Sequence, residues 1–324
     1  MQTPGHTFFH SSQWAKVLAQ TYGYRPFYIS QLCHEGFRVL LPLMEIRSVI
    51  TGTRAVSLPF TDYCDPLIDP EADPDETFQF ALELGRKSKW AYLEVRSTAF
   101  QNRQATESYF RHTLDLKPGK EEIFHGLRDS TRRNIRNAER QGVETWISRS
   151  YQAIKLFFEL HCLTRRGHGL PPQPFRFFQK IHEHVISKDT GFVVLAASQG
   201  RIIAGAVFFH FGCNALFKFG ASDARYQRLR PNNLVMWTAI QYYLAHEFSI
   251  LCFGRTHPHN VGLRQFKNGW GPTEDTLYYY RYGLRPRLSR NARFLNGSIH
   301  STTFERLPIP ILRVTGALLY RHFG

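Results

Sequence analysis

One segment, from Gly254 to Gly271, concentrates the residue types that can bind and activate a substrate. It carries three cations and two aromatic side chains among four glycines, in the order GRTHPHNVGLRQFKNGWG. The cations are Arg255, Arg264 and Lys267, and the aromatic residues are Phe266 and Trp270. Glycines let the backbone approach a ligand, cations hold anionic groups, and aromatic rings shield a site from water. The segment therefore predicts a site for an anionic substrate.

The motifs of several other chemistries are missing. The sequence has no G-x-S-x-G nucleophile elbow, no Walker loop, no H-E-x-x-H zinc motif and no distinctive pair of carboxylates. His10, His257 and His259 are explained better as scattered surface histidines than as ligands, so we predict no metal site. The five cysteines have no metal-ligand or redox spacing and are predicted to be reduced thiols. Acyl transfer needs none of these groups, because the enzyme only binds a donor, orients an acceptor and stabilises an oxyanion.

The strong positive charge of the chain indicates an anionic partner. The formal net charge is +15 and the isoelectric point is about 9.8, which fits RNA, a phosphorylated or nucleotide-linked substrate, or an anionic membrane. A solvated basic surface without a partner is the alternative. The charge is densest in a single helix predicted over residues 120–140, which contains five arginines. Among them Arg133 is a candidate phosphate contact, with a solvated helix face as the alternative.

The elements predicted for the second half have the order of an N-acetyltransferase-like fold. Alternating apolar residues predict a meander of three antiparallel strands, and helical periodicity predicts a helix after it. The predicted elements are strands at 192–197, 202–211 and 215–221, a helix beginning at Pro231, a strand at 250–253, a helical turn around Lys267 and a strand at 276–282.

The loop before the helix at Pro231 stands where acetyltransferases place the loop that grips the pyrophosphate of coenzyme A. Its sequence is SDARYQRLRPNN, in which Arg228 is a candidate anion contact and a solvated loop is the alternative. The loop lacks the glycine pair usual in those enzymes. This departure favours a charged tRNA or a carrier-bound acyl group over acetyl-CoA as the donor.

Two loops outside this order are candidate pocket walls. The first half is predicted as mixed α/β, with a first helix capped by Ser11 or Ser12 that carries Trp14, Val17, Leu18 and Tyr22 on one face, a helix at 76–86, strands at 37–46, 90–95 and 109–116, and a loop at 58–67. In that loop Asp62 and Tyr63 are candidate substrate contacts, and a structural turn is the alternative. The loop TRRGHGLPPQPF comes after an aromatic helix that begins near Tyr151, and it carries Arg166 and His168 before a stiffening proline pair.

The two ends of the chain indicate a protein of the reducing cytoplasm. The N-terminus lacks the features of a signal peptide, and no apolar run approaches the roughly 18 residues that a membrane span needs. From Arg285 the chain is basic and predicted to be irregular, and it ends in a short apolar helix containing Ile311, Leu312, Leu318 and Leu319. We expect that helix to dock on the protein in preference to a membrane interface.

Several stretches in combination resemble the FemAB family and the related BioF2-like acetyltransferase domains. They are DSTRRNIRNAERQGV, TRRGHGLPPQPF, GRIIAGAVFFHFG with FGASDARYQRLRPNNLVMW, and FGRTHPHNVGLRQFKNGWG. The resemblance spans about residues 8–282, and the layout is most similar to FemAB-type proteins found alongside bacterial exosortase (PEP-CTERM) and exopolysaccharide systems. It implies tandem N-acetyltransferase (GNAT)-like folds.

The resemblance also implies roles for individual residues. By it, Lys267 in the pair Phe266-Lys267 falls on the lysine with which FemAB peptidyltransferases stabilise the transferring carbonyl, and a surface lysine is the alternative. Lys267→Ala is then expected to abolish transfer and leave the fold intact. Arg255 is expected to clamp a phosphate or carboxylate, or else to form an interdomain salt bridge. The candidate substrate-binding residues are Arg255, Trp270, Asp62, Tyr63, Arg133, Arg166, His168 and Arg228.

The sequence thus predicts an α/β (α+β) fold of tandem GNAT-like domains, each a mixed, largely antiparallel sheet flanked by helices. Residues 1–148 are predicted as a degenerate GNAT-like domain, 149–284 as the catalytic, BioF2-like domain, and 285–324 as a basic tail that packs back on the protein. The expected activity is transfer of an aminoacyl or acyl group to an amine or hydroxyl of a cell-envelope or exopolysaccharide precursor, without a covalent enzyme intermediate.

Two alternatives stay open: an acyl-CoA-dependent N- or O-acetyltransferase acting on a sugar, and a non-enzymatic envelope-assembly or RNA-binding factor. No tightly bound cofactor is expected, and the donor is aminoacyl-tRNA, acyl-CoA or an acyl carrier. The expected partner is an anionic, nucleotide- or lipid-linked sugar precursor, with tRNA and a peripheral membrane contact left open. DNA is not expected.

Overall fold

The computed structural model describes residues 6–33, 36–69, 72–97, 104–285 and 302–324 as helices, strands and connecting loops. The helices are α1 (Ser12–Tyr22), α2 (Pro74–Lys87), α3 (Lys120–Gly126), α4 (Asp129–Arg140), α5 (Tyr151–Gly167), α6 (Phe175–His184), α7 (Pro231–Ala245), α8 (Val261–Asn268), α9 (Thr302–Arg306) and α10 (Ile309–Leu319). The strands are β1 (Arg25–Cys33), β2 (Gly36–Ser48), β3 (Gly52–Val56), β4 (Leu67–Ile68), β5 (Tyr92–Ser97), β6 (Glu107–Asp115), β7 (Glu144–Ser148), β8 (Gly191–Ser198), β9 (Arg201–Phe211), β10 (Asn214–Ser222), β11 (Ile250–Thr256) and β12 (Thr273–Gly283).

The described residues fall into two compact units. The first contains the residues up to Tyr109 together with 276–285 and 317–324, and the second contains 110–275 and 302–316. The predicted boundary at 148/149 therefore differs from the division of the structure. The reason is that β7 pairs with β8 and α4 packs against α7, so the residues between 110 and 148 belong to the core of the second unit.

Within the described residues, the first unit is a sheet of six strands with helices packed on it. The strand order is β1-β2-β3-β5-β12, and β4 pairs with β2. All of these pairs are antiparallel except β3 with β5, which α2 connects. The predicted first helix is confirmed: Ser11 caps α1, and Trp14, Val17, Leu18 and Tyr22 are buried along one face.

The second unit is a six-stranded sheet covered by helices on both faces. Its order is β6-β11-β10-β9-β8-β7, with every pair antiparallel except β10 with β11. Strand β8 is buried at Val193, Val194 and Leu195 in succession, and successive strand side chains point to opposite faces. Val194 packs in one core with side chains of α7. Leu195 points to the opposite face of the sheet, where Phe157 of α5 lies. The predicted meander is confirmed.

The two units repeat one pairing order. In the first, β1, β2 and β3 form a meander, α2 crosses to the parallel strand β5, and β12 pairs antiparallel with β5. In the second, β8, β9 and β10 form the meander, α7 crosses to the parallel strand β11, and β6 pairs antiparallel with β11. This repetition confirms the predicted fold class of two GNAT-like sheets.

Two predicted elements are wrong in detail. The single helix predicted over 120–140 is two helices, because Leu127 and Arg128 are extended and the Arg128 amide donates to the carbonyl of Gly269 (3.0 Å). The predicted loop TRRGHGLPPQPF begins inside α5, so Arg166 lies in the last turn of that helix. The helix continues to Gly167 because the first proline comes only at position 171.

The described part of the C-terminal tail packs against the protein. Leu312 is fully buried on α10, and a Cβ at Gly316 would lie 1.9 Å from the Pro172 carbonyl, so only glycine allows this close approach. The basic stretch predicted to be irregular lies outside the described residues beyond 285. Among the helices that the structure describes, none has both the length and the apolar composition required to cross a bilayer.

Candidate active site

Strand β11 contains a bulge where the candidate segment begins. Cys252 pairs with Thr113 of β6, but the next pair in the ladder joins Arg255 to Arg111, so two residues of β11 face one residue of β6. Gly254 lies in the bulge with a φ of +71°, a conformation that glycine adopts at no steric cost. The bulge breaks the regular ladder and leaves carbonyl groups of β11 for partners other than β6.

Lys267 supplies that partner. It lies near the end of α8, which begins at Val261 and is capped by the side chain of Asn260. Lys267 is 2% exposed, and its Nζ donates to the carbonyl oxygens of Gly254 (3.1 Å) and Arg255 (3.0 Å). A buried ammonium requires such partners to offset its loss of hydration. The side chain therefore ties α8 to the bulge of β11.

The burial of Lys267 removes one alternative and changes one expectation. Lys267 is not a surface lysine. The expectation that Lys267→Ala leaves the fold intact becomes an expectation of destabilisation, because that change removes the donor to two backbone carbonyls and opens a cavity. Whether Lys267 acts in catalysis stays a prediction that a stability-matched variant has to test.

The aromatic residues and glycines of the segment pack inside the second unit. Phe266 and Trp270 meet edge to face with ring centroids 6.1 Å apart, and Trp270 is 1% exposed in the core of the second unit. A Cβ at Gly269 would lie 2.5 Å from Oγ1 of Thr131, and one at Gly271 would lie 3.2 Å from the Gly126 carbonyl. The absence of side chains at Gly269 and Gly271 therefore lets the α3–α4 junction approach closely. The sequence predicted instead that these glycines let a ligand approach.

A buried histidine and a glutamate, which sequence reasoning missed, lie beside Lys267. The side chain of His112 on β6 is fully buried, and its Nε2 lies 3.0 Å from Oε2 of Glu274. Glu274 also accepts from Nε (2.8 Å) and Nη2 of Arg264. The Arg264 guanidinium in turn stacks 3.9 Å from the centroid of the Phe110 ring. The one signal in the sequence is a polar residue at a buried position of the β6 alternation.

The electrostatics of this network keep His112 neutral and Glu274 ionised near pH 7. Burial lowers the pKa of His112 below its usual value, and the charge of Lys267 adds to this effect against the opposing charge of Glu274. The hydrogen bonds from Arg264 lower the pKa of Glu274 to about 2. An ionised Glu274 favours the tautomer of His112 with its proton on Nε2. Neither ring nitrogen makes a regular hydrogen bond to the described residues, and Nδ1 is then left as the base because the nearby carboxylate favours the proton on Nε2.

Two cations lie side by side across the same ladder. Arg255 is partly buried and opposes Arg111, whose Nη2 lies 3.1 Å from a carboxylate oxygen of Asp275. Like charges opposite each other in a ladder destabilise it unless anions lie nearby. Asp275 supplies such a negative charge beside Arg111.

The other substrate-binding residues predicted in the second unit are Arg166, His168 and Arg228, on two connected elements, and Arg133 on α4. Thr164 of α5 exchanges two hydrogen bonds with the backbone of Ser222 (3.1 and 2.9 Å), which joins the helix end carrying Arg166 and His168 to the loop carrying Arg228. Arg228 and His168 are exposed, and Arg166 is partly buried.

Arg133 is exposed on α4. Its neighbours are engaged within the helix pair, because Arg132 donates to the His125 carbonyl (2.6 Å) and Arg136 lies 5.6 Å from the Phe124 ring centroid. The guanidinium of Arg133 is therefore accessible to solvent. This exposure fits both interpretations, a phosphate contact and a solvated helix face.

Asp62 and Tyr63 lie in the first unit, in a loop fixed by its own contacts. The hydroxyl of Tyr279 donates to the backbone carbonyl of Asp62 (2.6 Å), and Tyr63 packs on a cluster containing Tyr109 and Tyr279. Each of these contacts is one that a structural turn would make. A role in substrate binding stays a prediction.

The comparisons with known proteins agree with the fold. Residues 126–268, which contain α8 and Lys267, match the family model described as an acetyltransferase (GNAT) domain. No curated protein sequence matches the chain. The solved structure of FemX is similar with a TM-score of 0.67 at 12% identity, over 85% of this chain and 92% of that one.

Two further solved structures share the fold at low identity. A tandem GNAT protein from the clavulanic acid biosynthesis pathway has a TM-score of 0.57 at 10% identity, over 88% of this chain and 90% of its own. The C-terminal domain of a protein described as a putative lysylphosphatidylglycerol synthetase, from Agrobacterium fabrum, has a TM-score of 0.56 at 13% identity, over 83% and 87%. Residues 126–268 are therefore similar to GNAT acetyltransferase domains in sequence as well as in fold.

Proposed function

We propose that this protein transfers an acyl group from an activated donor to an amine or hydroxyl, at a site in the second unit formed by the bulge of β11 and helix α8. The observation that carries the proposal is the buried ammonium of Lys267 on the carbonyls of Gly254 and Arg255, within the segment that matches the GNAT acetyltransferase model. A fixed cation in a water-poor site is suited to stabilise a developing oxyanion.

The chemistry proceeds by direct attack. The acceptor nitrogen or oxygen bonds to the donor carbonyl carbon, the carbonyl oxygen gains negative charge beside Lys267, and the bond to the leaving group then breaks. The acceptor gives up one proton, and Nδ1 of neutral His112 is a base able to receive it, directly or through water. Glu274 stabilises the imidazolium that results, since Nε2 lies 3.0 Å from its carboxylate.

The donor we favour is an aminoacyl-tRNA, and the acceptor we favour is a nucleotide- or lipid-linked sugar precursor of the cell envelope or an exopolysaccharide. Three observations support this choice: the net charge of +15, the adjacent cations Arg255 and Arg111, and a fold similar to that of FemX. Exposed arginines, Arg133 and Arg228 among them, would contact the phosphates of such a donor.

An acyl-CoA donor is the second candidate, because the matching family model is that of an acetyltransferase. The loop before α7 bears on this choice. Its Arg225 donates to both carboxylate oxygens of the buried Asp223, so this cation is already engaged. The exposed Arg228 and Arg230 would have to bind the pyrophosphate of coenzyme A instead.

Donor turnover decides between the candidates. Purified protein is incubated with radiolabelled aminoacyl-tRNA or acetyl-CoA and with a panel of nucleotide-linked amino sugars, and acylated acceptors are identified by mass. We expect transfer from aminoacyl-tRNA that falls steeply with salt. Transfer from acetyl-CoA alone would select the second candidate. Absence of transfer from both donors to every acceptor would contradict acyl transfer to such acceptors.

A further inference from the structure

The hairpin that joins β2 to β3 exposes apolar side chains at its tip. Val49 is 97% exposed and Ile50 is 60% exposed, at positions where soluble proteins usually place glycine, asparagine or aspartate. The tip is also well ordered by its own contacts, because Oγ of Ser48 accepts from the amides of Ile50 (3.1 Å) and Thr51 (2.9 Å). The two apolar side chains are therefore held outward on a fixed turn.

Helix α10 presents an apolar row on its outer side. Ile311, Val314 and Leu318 are 49%, 61% and 64% exposed, and their spacing of three and four residues places them on one face of the helix. The opposite face docks through Leu312 and Gly316, which are buried. Helix α10 is therefore apolar on both faces, and its outer face is left exposed to solvent.

The end of this helix lies beside the hairpin tip within the first unit. The ring Nδ1 of His322 lies 2.9 Å from Oγ of Ser48, and its carbonyl accepts from Oγ1 of Thr51 (3.1 Å) and from Arg54 (2.7 Å). Leu318 is thus one helical turn from residues that hold the tip. The apolar tip and the apolar helix end form adjacent parts of one surface.

Positive charges lie beside these apolar side chains in the first unit. Arg321 is exposed and directly precedes His322, and Arg47, next to the tip, has a side chain 68% exposed whose Nε contacts the buried Glu45 (2.7 Å). Residues 302–324 carry three arginines, Arg306, Arg313 and Arg321, against a single acid, Glu305. A second copy of this chain would bring the same positive charges face to face, which opposes self-association. An anionic lipid surface complements both the apolar side chains and the arginines.

We propose that the tip residues Val49 and Ile50, together with Leu318 at the end of α10, insert into the interface of an anionic membrane, while Arg321 contacts lipid phosphates. All four residues belong to the first unit. Leu312 and Gly316 hold the inner face of α10 on the protein, and the exposed Leu318 on its outer face is the part that engages lipid. The proposal is independent of the acyl donor.

Vesicle flotation tests the proposal on the full chain. The probes are vesicles of phosphatidylcholine alone and vesicles containing about 30 mol % phosphatidylglycerol. We expect binding to the anionic vesicles that weakens with salt, and at least about tenfold weaker binding to the neutral ones. The double variant Val49→Ser with Ile50→Ser should weaken binding to anionic vesicles about tenfold, and Leu318→Ser about threefold, because each removes inserted apolar area.

Phe80→Ser is the matched control. Phe80 is also exposed (55%) but lies on α2, an element outside the proposed surface, so its replacement should leave vesicle binding unchanged. Unchanged thermal unfolding would show that each variant is folded. Failure of the wild-type chain to bind anionic vesicles at low salt would overturn the proposal, as would equal binding by the tip variant. A dimer in sedimentation velocity that the tip variant dissociates, without vesicle binding, would assign the surface to self-association instead.

Discussion

The replacement of Lys267 by methionine tests its two expected roles in one variant. Methionine keeps most of the side-chain volume and removes the ammonium that donates to Gly254 and Arg255. Leaving the buried Gly254 carbonyl and the partly buried Arg255 carbonyl without this donor costs ~1–3 kcal/mol each, and removing a buried charge offsets part of this loss. We expect a net loss of about 2–4 kcal/mol in the free energy of unfolding. For a unit of this size that loss lowers Tm by about 5–15 °C.

The catalytic role predicts a second, separate loss. Removal of one group that stabilises an oxyanion typically lowers kcat by ~10²–10³-fold. The assay is therefore initial-rate transfer measured well below the Tm of the variant, beside Val193→Ala as a control. Val193 is fully buried in β8, and its truncation should destabilise the same unit by about 2 kcal/mol without touching the site. Turnover by Lys267→Met within about threefold of the control would refute the catalytic role and leave Lys267 as a structural tie.

Three further predictions concern neighbouring groups. Because burial lowers the pKa of His112, kcat/KM should rise with pH through a value below about 6.5, and His112→Asn should remove that limb from the pH profile while far-UV circular dichroism stays unchanged. Gly269→Ala should cost about 1–3 kcal/mol, because its Cβ would lie 2.5 Å from Oγ1 of Thr131, and urea unfolding should show that Thr131→Ala restores part of this loss. Burial lowers the pKa of His161 to about 3, so folded His161 stays neutral at pH values where the unfolded chain binds a proton, below about 6.5. The free energy of unfolding therefore decreases as pH falls from about 6.5 toward 3. His161→Phe should reduce this pH dependence by about 1.4 kcal/mol per pH unit, measured by urea unfolding.

Local periodicity was sufficient to predict the elements whose packing depends on their own sequence. Helix α1 and the meander β8-β9-β10 were predicted correctly, because each shows a clear helical or strand alternation and a turn signal. The pattern failed where a tertiary contact decides the backbone. The break between α3 and α4 depends on a hydrogen bond from Arg128 to Gly269, a residue far along the chain.

The candidate site was predicted only in part for the same reason. The segment containing Lys267 is local in sequence, so its composition drew attention to it. The pair of His112 and Glu274 joins β6 to β12 across 162 positions, and no local pattern links them. Strands β1 and β7 were not predicted, since RPFYISQLC and ETWIS lack a clear apolar alternation.

The most direct test of the central claim is thermal unfolding of the purified chain with aminoacyl-tRNA, deacylated tRNA and acetyl-CoA, each at low and moderate salt. A donor that binds the native site raises Tm by mass action. The account predicts a salt-sensitive rise with aminoacyl-tRNA that exceeds the rise with deacylated tRNA, because the site recognises the acyl group as well as the phosphates. No rise with any of the three ligands at low salt would contradict an acyl-donor site in this protein.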